Sequence, residues 1–139
     1  MIIDYKHDIS VEDYNLLRKS VGWTKVDDNQ AQAGINNSSY LVTAVHMNKT
    51  IGLSRVVSDG GYIAIIEDVI VLPDYQGIGV GKCLLQKVME FFNGNLKEGE
   101  AVFINLMSEK GKESFYKQFG FTQRPNETLG SGMTQWIRK

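Results

Sequence analysis

Between residues 76 and 82 the chain reads Gln76-Gly77-Ile78-Gly79-Val80-Gly81-Lys82, three glycines alternating with apolar residues. Glycines at this spacing strip a loop of side chains, so its backbone can approach a ligand and its N–H groups can converge on an anion. Leu84, Leu85, Val88, Met89 and Phe92 follow at helical spacing. The loop therefore opens a helix, whose dipole also favours negative charge. A phosphate or pyrophosphate suits this chemistry. A P-loop is excluded, because Gln76 stands where its first glycine belongs and Cys83 where its Ser or Thr belongs. A dinucleotide fingerprint is excluded too. Starting at Gly77 it meets Lys82, and starting at Gly79 it meets Leu84, where a third glycine is required. What remains is Gln/Arg-x-x-Gly-x-Gly/Ala, met by Gln76, Gly79 and Gly81.

A second group of reactive side chains lies just upstream. Glu67 and Asp68 interrupt an otherwise apolar run from Tyr62 to Leu72, a costly placement unless each carboxylate is partnered or used. Consecutive strand residues point to opposite faces, so only one faces a given cleft unless a bulge intervenes. Elsewhere, Cys83 reads as a small buried side chain on the first turn of a helix, and His7 and His46 as surface or strand-edge residues. Trp23 and Trp136 suit either an acceptor wall or core filling.

The elements that must position these groups follow from periodicity. Ser10, with Asp13 three residues on, caps a helix carrying Val11, Tyr14, Leu17 and Val21. Asp27-Asp28 starts a short second helix through Gln32 that stops at Gly34. Tyr40–Val45 and Ile51–Val57 form a hairpin turning near Asn48-Lys49, and Asp59-Gly60-Gly61 makes another turn. Tyr62–Leu72 is a long strand whose apolar content predicts burial on both faces, ended by Pro73. The glycine loop and a helix to Asn93-Gly94 follow, then a strand over Ala101–Met107, a helix over Glu109–Gln118, and short strands at Phe121 and Met133–Ile137. The order is two helices, an antiparallel meander, then β-α-β-α-β, with Tyr62–Leu72 and Ala101–Met107 as parallel neighbours.

Composition bounds the rest. A length of 139 residues, 42% apolar and 22% charged, suits one soluble domain spanning residues 1–139. Fifteen basic against sixteen acidic side chains, net charge −1, argue against nonspecific binding to nucleic acid or an anionic membrane. One cysteine excludes an internal disulfide, and two histidines argue against a metal cage. No apolar run approaches the roughly 20 residues that span a bilayer. Met1–Lys6 is charged too early for a secretory signal, so a cytoplasmic location is expected.

"IEDVIVLPDYQGIGVGKCLLQKVMEFF" and, about thirty-five residues beyond the loop, "FYKQFGF" from Phe115 to Phe121 together resemble the GCN5-related N-acetyltransferase (GNAT) family. The resemblance is strong from about Tyr40 to Phe121. It implies an α/β (α+β) acyl-CoA N-acyltransferase fold: a mixed central sheet with an antiparallel N-terminal meander, a βαβ crossover and flanking helices. It also implies transfer of the acetyl group of acetyl-CoA to a primary amine, without a metal. In such an enzyme Gln76, Gly77, Ile78, Gly79, Val80, Gly81 and Lys82 grip the pyrophosphate. The backbone of Val69, Ile70 and Val71 pairs with the pantetheine arm and faces the thioester. Tyr116 stands where the family places a tyrosine near the cofactor sulfur, and Glu67 or Asp68 where some members carry a general base. Family members often have Asn and Ala seven and four residues before the tyrosine; here Glu109 and Lys112 stand there, so the resemblance does not carry over that side-chain contact to the cofactor, only the backbone grip. The stretch "LSRVVSDGG" looks like small bacterial members, which points to a small-molecule amine as acceptor. The alternatives are a protein or peptide amine, or a non-catalytic acyl-CoA-binding module. Family members are often homodimers.

Overall fold

Ser10 accepts a hydrogen bond from the Asp13 amide at 3.0 Å and so starts helix α1 (Val11–Ser20), whose Tyr14 and Leu17 are buried. Asp27 caps α2 (Asp28–Asn36) in the same way, through the Gln30 amide at 3.1 Å. This second helix runs through Gly34 rather than ending there, because Asn37 and Ser38 return their side chains to the carbonyls of its last turn. The computed structural model describes all 139 residues and resolves into two units, Met1–Leu106 and Met107–Lys139.

The first unit is built on a five-stranded sheet ordered β1 (Asp4–Lys6), β2 (Tyr40–His46), β3 (Lys49–Ser58), β4 (Ile63–Val71) and β5 (Phe103–Asn105). All neighbours are antiparallel except β4 and β5, which are parallel as expected of a βαβ crossover. The crossover is α3 (Val80–Asn95), which buries Val80, Leu84, Leu85, Val88 and Phe92. Strand β1 carries no sequence signal of its own: three residues with one half-buried side chain are too short for alternation to register. The β2–β3 turn centres on Met47 and Asn48, both at positive φ (49° and 63°), one residue earlier than the sequence suggests. Two left-handed residues give the hairpin twist its preferred two-residue turn.

Register assigns the two faces. A Cβ at Gly52 would point at Leu84 and Val80 of α3, so Gly52, Ser54 and Val56 share the α3 face. Arg55, which reaches Gly34 of α2, lies on the other face with Leu53. Between Leu53 and Arg55 the register to β4 slips from Ile70 to Glu67. Strand β4 therefore carries one more residue than β3 across this stretch, a β-bulge at Asp68-Val69. Consequently Ile66, opposite Val56, and Ile70, opposite Leu53, point to opposite faces. Burial of β4 on both faces is not realised along its whole length: Ile63 and Ile65 are 39% and 38% exposed, because α1 and α2 do not reach that end of the face.

The second unit holds α4 (Glu113–Lys117), four residues shorter at its start than Glu109 because Lys112 is its N-terminal boundary. Phe115, Tyr116, Phe119 and Phe121 form an edge-to-face aromatic cluster around it. The strands expected at Phe121 and Met133–Ile137 do not form. Arg124 instead donates to the Gly130 carbonyl at 2.7 Å, closing a loop organised by the Asn126 side chain. Trp136 is 72% exposed under Arg138, so it fills no core.

Candidate active site

At the bulge, Asp68 takes φ +57°, a left-handed conformation that costs an ordinary L-residue about 1–2 kcal/mol. Its side chain is buried and accepts three hydrogen bonds. Tyr14 Oη donates to Oδ2 at 2.6 Å, Arg55 Nε to Oδ2 at 2.5 Å, and an Arg18 guanidinium nitrogen to Oδ1 at 3.2 Å. The donors come from α1 and β3, so one carboxylate ties the helix to the sheet. Their ionisation reflects this. Burial, then the charge of Asp68 and the hydrogen bond to it, push the Tyr14 phenol up to about 12. Burial opposes the charge on Arg55, but the hydrogen bond to Asp68, the Asp68 charge and Tyr14 together outweigh it and raise the guanidinium above its ordinary value.

The bulge also resolves the orientation of the two carboxylates. Glu67 pairs in register with Arg55 and so lies on the α1/α2 face, where the Asp68 carboxylate also turns. Consecutive residues thus serve one side of the sheet. Glu67 remains exposed enough to meet a substrate. Partial burial raises its carboxyl above the ordinary value, the Asp68 charge adds to this, and Arg55 and Arg18 oppose it.

Strand β5 pairs with β4 only at Ile63–Ile65, upstream of the bulge. No strand pairs with the β5 side of β4 from Ile66 to Val71. Pro73–Tyr75 then makes a single 3-10 turn, and Gln76 Nε2 donates to the Val71 carbonyl at 2.9 Å, fastening the glycine loop to the end of the strand. Gly77 and Gly79 sit at φ +79° and +93°, with nothing within 4 Å of where a Cβ would project. Gly79 caps α3 without any side-chain hydrogen bond. The N–H groups of the first turn of α3 lack intrahelical acceptors and face this side-chain-free approach. An open strand edge leading to a helix N-terminus fits a long ligand with an anionic group partway along it, as in coenzyme A. Ile78 is 57% exposed and Lys82 exposed, while Val80 is buried and anchors the loop to the core.

Tyr116 lies in the second unit, buried and edge-to-face with Phe115 at 5.1 Å. Lys112 is exposed. Cys83 is only half-buried and bonds to Tyr5, whose phenol is pushed up to about 12 by burial and by that bond. His46 bonds Tyr75 Oη at 3.0 Å, and His7 the Leu41 carbonyl at 2.9 Å. No three His, Cys, Asp or Glu side chains are grouped to hold a metal ion, and no helix is long and apolar enough to cross a membrane.

Tyr14, Arg18 and Arg55 escaped the sequence reading. Tyr14 belongs to an apolar helical stripe, which hides its hydroxyl. Arg55 did carry a signal: a basic residue inside an apolar strand, one hairpin away from a carboxylate inside another, is the partner that carboxylate needs.

A bulged parallel–antiparallel sheet that opens onto a glycine-capped helix defines a class, the acyl-CoA N-acyltransferases, and comparisons agree. Residues 11–135 match the acetyltransferase (GNAT) domain. The chain is 32% identical to the N-acetyltransferase ycf52 of Pyropia yezoensis, over 88% of this chain and 70% of that protein. It is 30% identical to the histone acetyltransferase TAP1 of Glycine max, over 88% of this chain and 56% of that one. The crystal structure of a probable acetyltransferase from meticillin-resistant Staphylococcus aureus superposes with a TM-score of 0.87 at 28% identity, covering 98% of this chain and 100% of that one. The chain belongs to the GNAT acetyltransferase family and is an acyltransferase.

Proposed function

We propose that this enzyme moves the acetyl group of acetyl-CoA to the primary amine of a small molecule. The observation that carries this reading is the β4 edge that β5 leaves unpaired beyond Ile65, which runs through Glu67 and Val69–Val71 to the Gln76–Val71 bond and the glycine-capped start of α3. Acetyl-CoA supplies a thioester carbonyl carbon as electrophile. Glu67, with its raised carboxyl, takes the proton that the ammonium must lose before its nitrogen can attack. As the new C–N bond forms, the nitrogen sheds its second proton to solvent; as the C–S bond breaks, the Tyr116 hydroxyl gives its proton to the departing thiolate, and the phenolate recovers one from solvent. That role comes from the Phe-Tyr-x-x-x-Gly-Phe motif.

Acceptor class rests on what the carboxylates already do. Asp27 is spent capping α2, and Asp28 pairs with Lys25 at 3.4 Å. Asp68 has three donors of its own, which leaves Glu67 as the carboxylate placed to receive a single ammonium. The name of the Glycine max relative supports a second reading, in which the amine belongs to a protein. Titration calorimetry with acetyl-CoA, followed by thiol release against amines, polyamines, amino sugars and peptides, tests both. Saturable heat and turnover of a small amine are expected. Absence of heat overturns the cofactor, and turnover of peptides alone overturns the acceptor.

A further inference from the structure

We propose that Tyr14, Arg18 and Arg55 are positioning residues of the transfer reaction: together they clamp Asp68 in its left-handed conformation and so hold open the β4 backbone that receives the acyl donor. The inference rests on the acetyl-CoA reading above and adds to it the group of side chains that makes the binding edge.

The bulge needs such a device. Strand β4 has no glycine between Ile63 and Val71, so the positive φ falls on an aspartate, which tolerates it better than most L-residues but less readily than glycine. A regular strand would relieve Asp68 and restore a single alternation through Val71. What opposes that relaxation is the side chain of Asp68. Its Oδ2 is held by Tyr14 and Arg55 and its Oδ1 by Arg18. A carboxylate pinned through both oxygens by three groups cannot turn to the opposite face, and the backbone that carries it cannot flatten.

The clamp is itself braced. Arg18 Nε donates to the Thr24 carbonyl at 2.9 Å, and its guanidinium lies 5.4 Å from the Trp23 ring centroid. Arg55 reaches the Gly34 carbonyl at 3.3 Å and Ser38 Oγ at 3.4 Å. The connection between α1 and α2, and the C-terminal end of α2, therefore both report to one residue of β4. Trp23 thereby has a function in place of the two left open by sequence: it backs the guanidinium that holds the bulge. Charge is balanced locally, since Glu67 and Asp68 face Arg18 and Arg55.

Glycine adopts φ near +57° without help, which gives the test. Arg55→Gln, Asp68→Ala, Asp68→Gly and the Asp68→Gly/Arg55→Gln double variant are compared by thermal unfolding, CoA calorimetry and the backbone chemical shifts of residues 67–70. Arg55→Gln and Asp68→Ala should move those shifts toward regular strand values and weaken CoA binding about tenfold. Asp68→Gly should bind at least tenfold more tightly than Asp68→Ala, and adding Arg55→Gln to it should change affinity less than twofold. Equal losses from Arg55→Gln on both backgrounds overturn the clamp, as does a fall in Tm with unchanged shifts and affinity. The shifts need no ligand: if wild-type protein binds no CoA, the cofactor reading falls, while the shifts still decide whether the three residues hold the bulge.

Discussion

The phenol of Tyr14 stands 2.6 Å from Oδ2 of Asp68, a contact closed across fifty-four residues of sequence. It joins α1 to β4 at the one position where that strand departs from regular geometry.

Removing that hydroxyl should be expensive and pH-dependent. A hydrogen bond to a charged, buried acceptor contributes about 1.5–3 kcal/mol, so Tyr14→Phe should lower Tm by roughly 5–10 °C. The folded-state pKa of Tyr14, about 12, lies above the 10.0 of a free phenol. Its contribution is therefore complete below the unfolded value and is lost as pH rises through the folded one. Denaturant melts of both proteins should differ most below pH 10 and converge toward pH 12.

Glu67→Gln should cut kcat by about 100-fold or more, the usual contribution of a general base, with CoA affinity retained. In the wild type, kcat/KM should fall on acidification through a group titrating above the ordinary carboxylate range, and the variant should lack that limb. Stability moves the other way. A carboxyl raised on folding costs the fold once it ionises. Thermal scans should thus find the variant's advantage over wild type growing from pH 4 to pH 8.

Gly52 is required by packing rather than by φ. A Cβ there would sit 3.1 Å from a Leu84 methyl, 3.2 Å from the Ile70 carbonyl oxygen and 3.4 Å from Val80. Gly52→Ala should cost about 1–3 kcal/mol through overpacking. Because Leu84 and Val80 carry the start of α3, it should also weaken CoA binding, measured by calorimetry below the variant's own Tm.

Ser54 presents the opposite case. Its hydroxyl is fully buried on β3, beside the bulge, with no hydrogen-bond partner. Leaving such a group unpaired costs about 1–3 kcal/mol, so Ser54→Ala should stabilise the fold by on the order of 1 kcal/mol. The midpoint of urea unfolding should rise with its slope unchanged.

What could be read in advance follows the range of the interactions involved. The glycine loop, the caps at Ser10 and Asp27 and the β2–β3 hairpin are local, written within a few consecutive residues. Parallel pairing of β4 with β5 followed from the helix between them. The clamp was illegible for a different reason: Tyr14, Arg18 and Arg55 come from three stretches of chain, and only the fold reveals that Asp68 collects them. The terminal strands expected at Phe121 and Met133–Ile137 do not form, since a few apolar residues in a short stretch supply no partner edge to pair with. The exposed isoleucines of β4 carry a similar lesson, because apolar content alone does not tell which end of a face a helix covers.

One extra residue gives β4 two phases. Up to Glu67 its odd positions serve the side of α1 and α2; from Ile70 onward that duty passes to the even ones. The two halves of the strand are thereby uncoupled as texts. Substitutions at Ile63, Ile65 or Glu67 can retune the α1/α2 face without disturbing the frame in which Val69–Val71 are spelled. Deleting a single residue at the junction would merge the frames yet leave the partners in place, with Glu67 still opposite Arg55 and Ile70 still opposite Leu53, so that only the bulge itself would be lost.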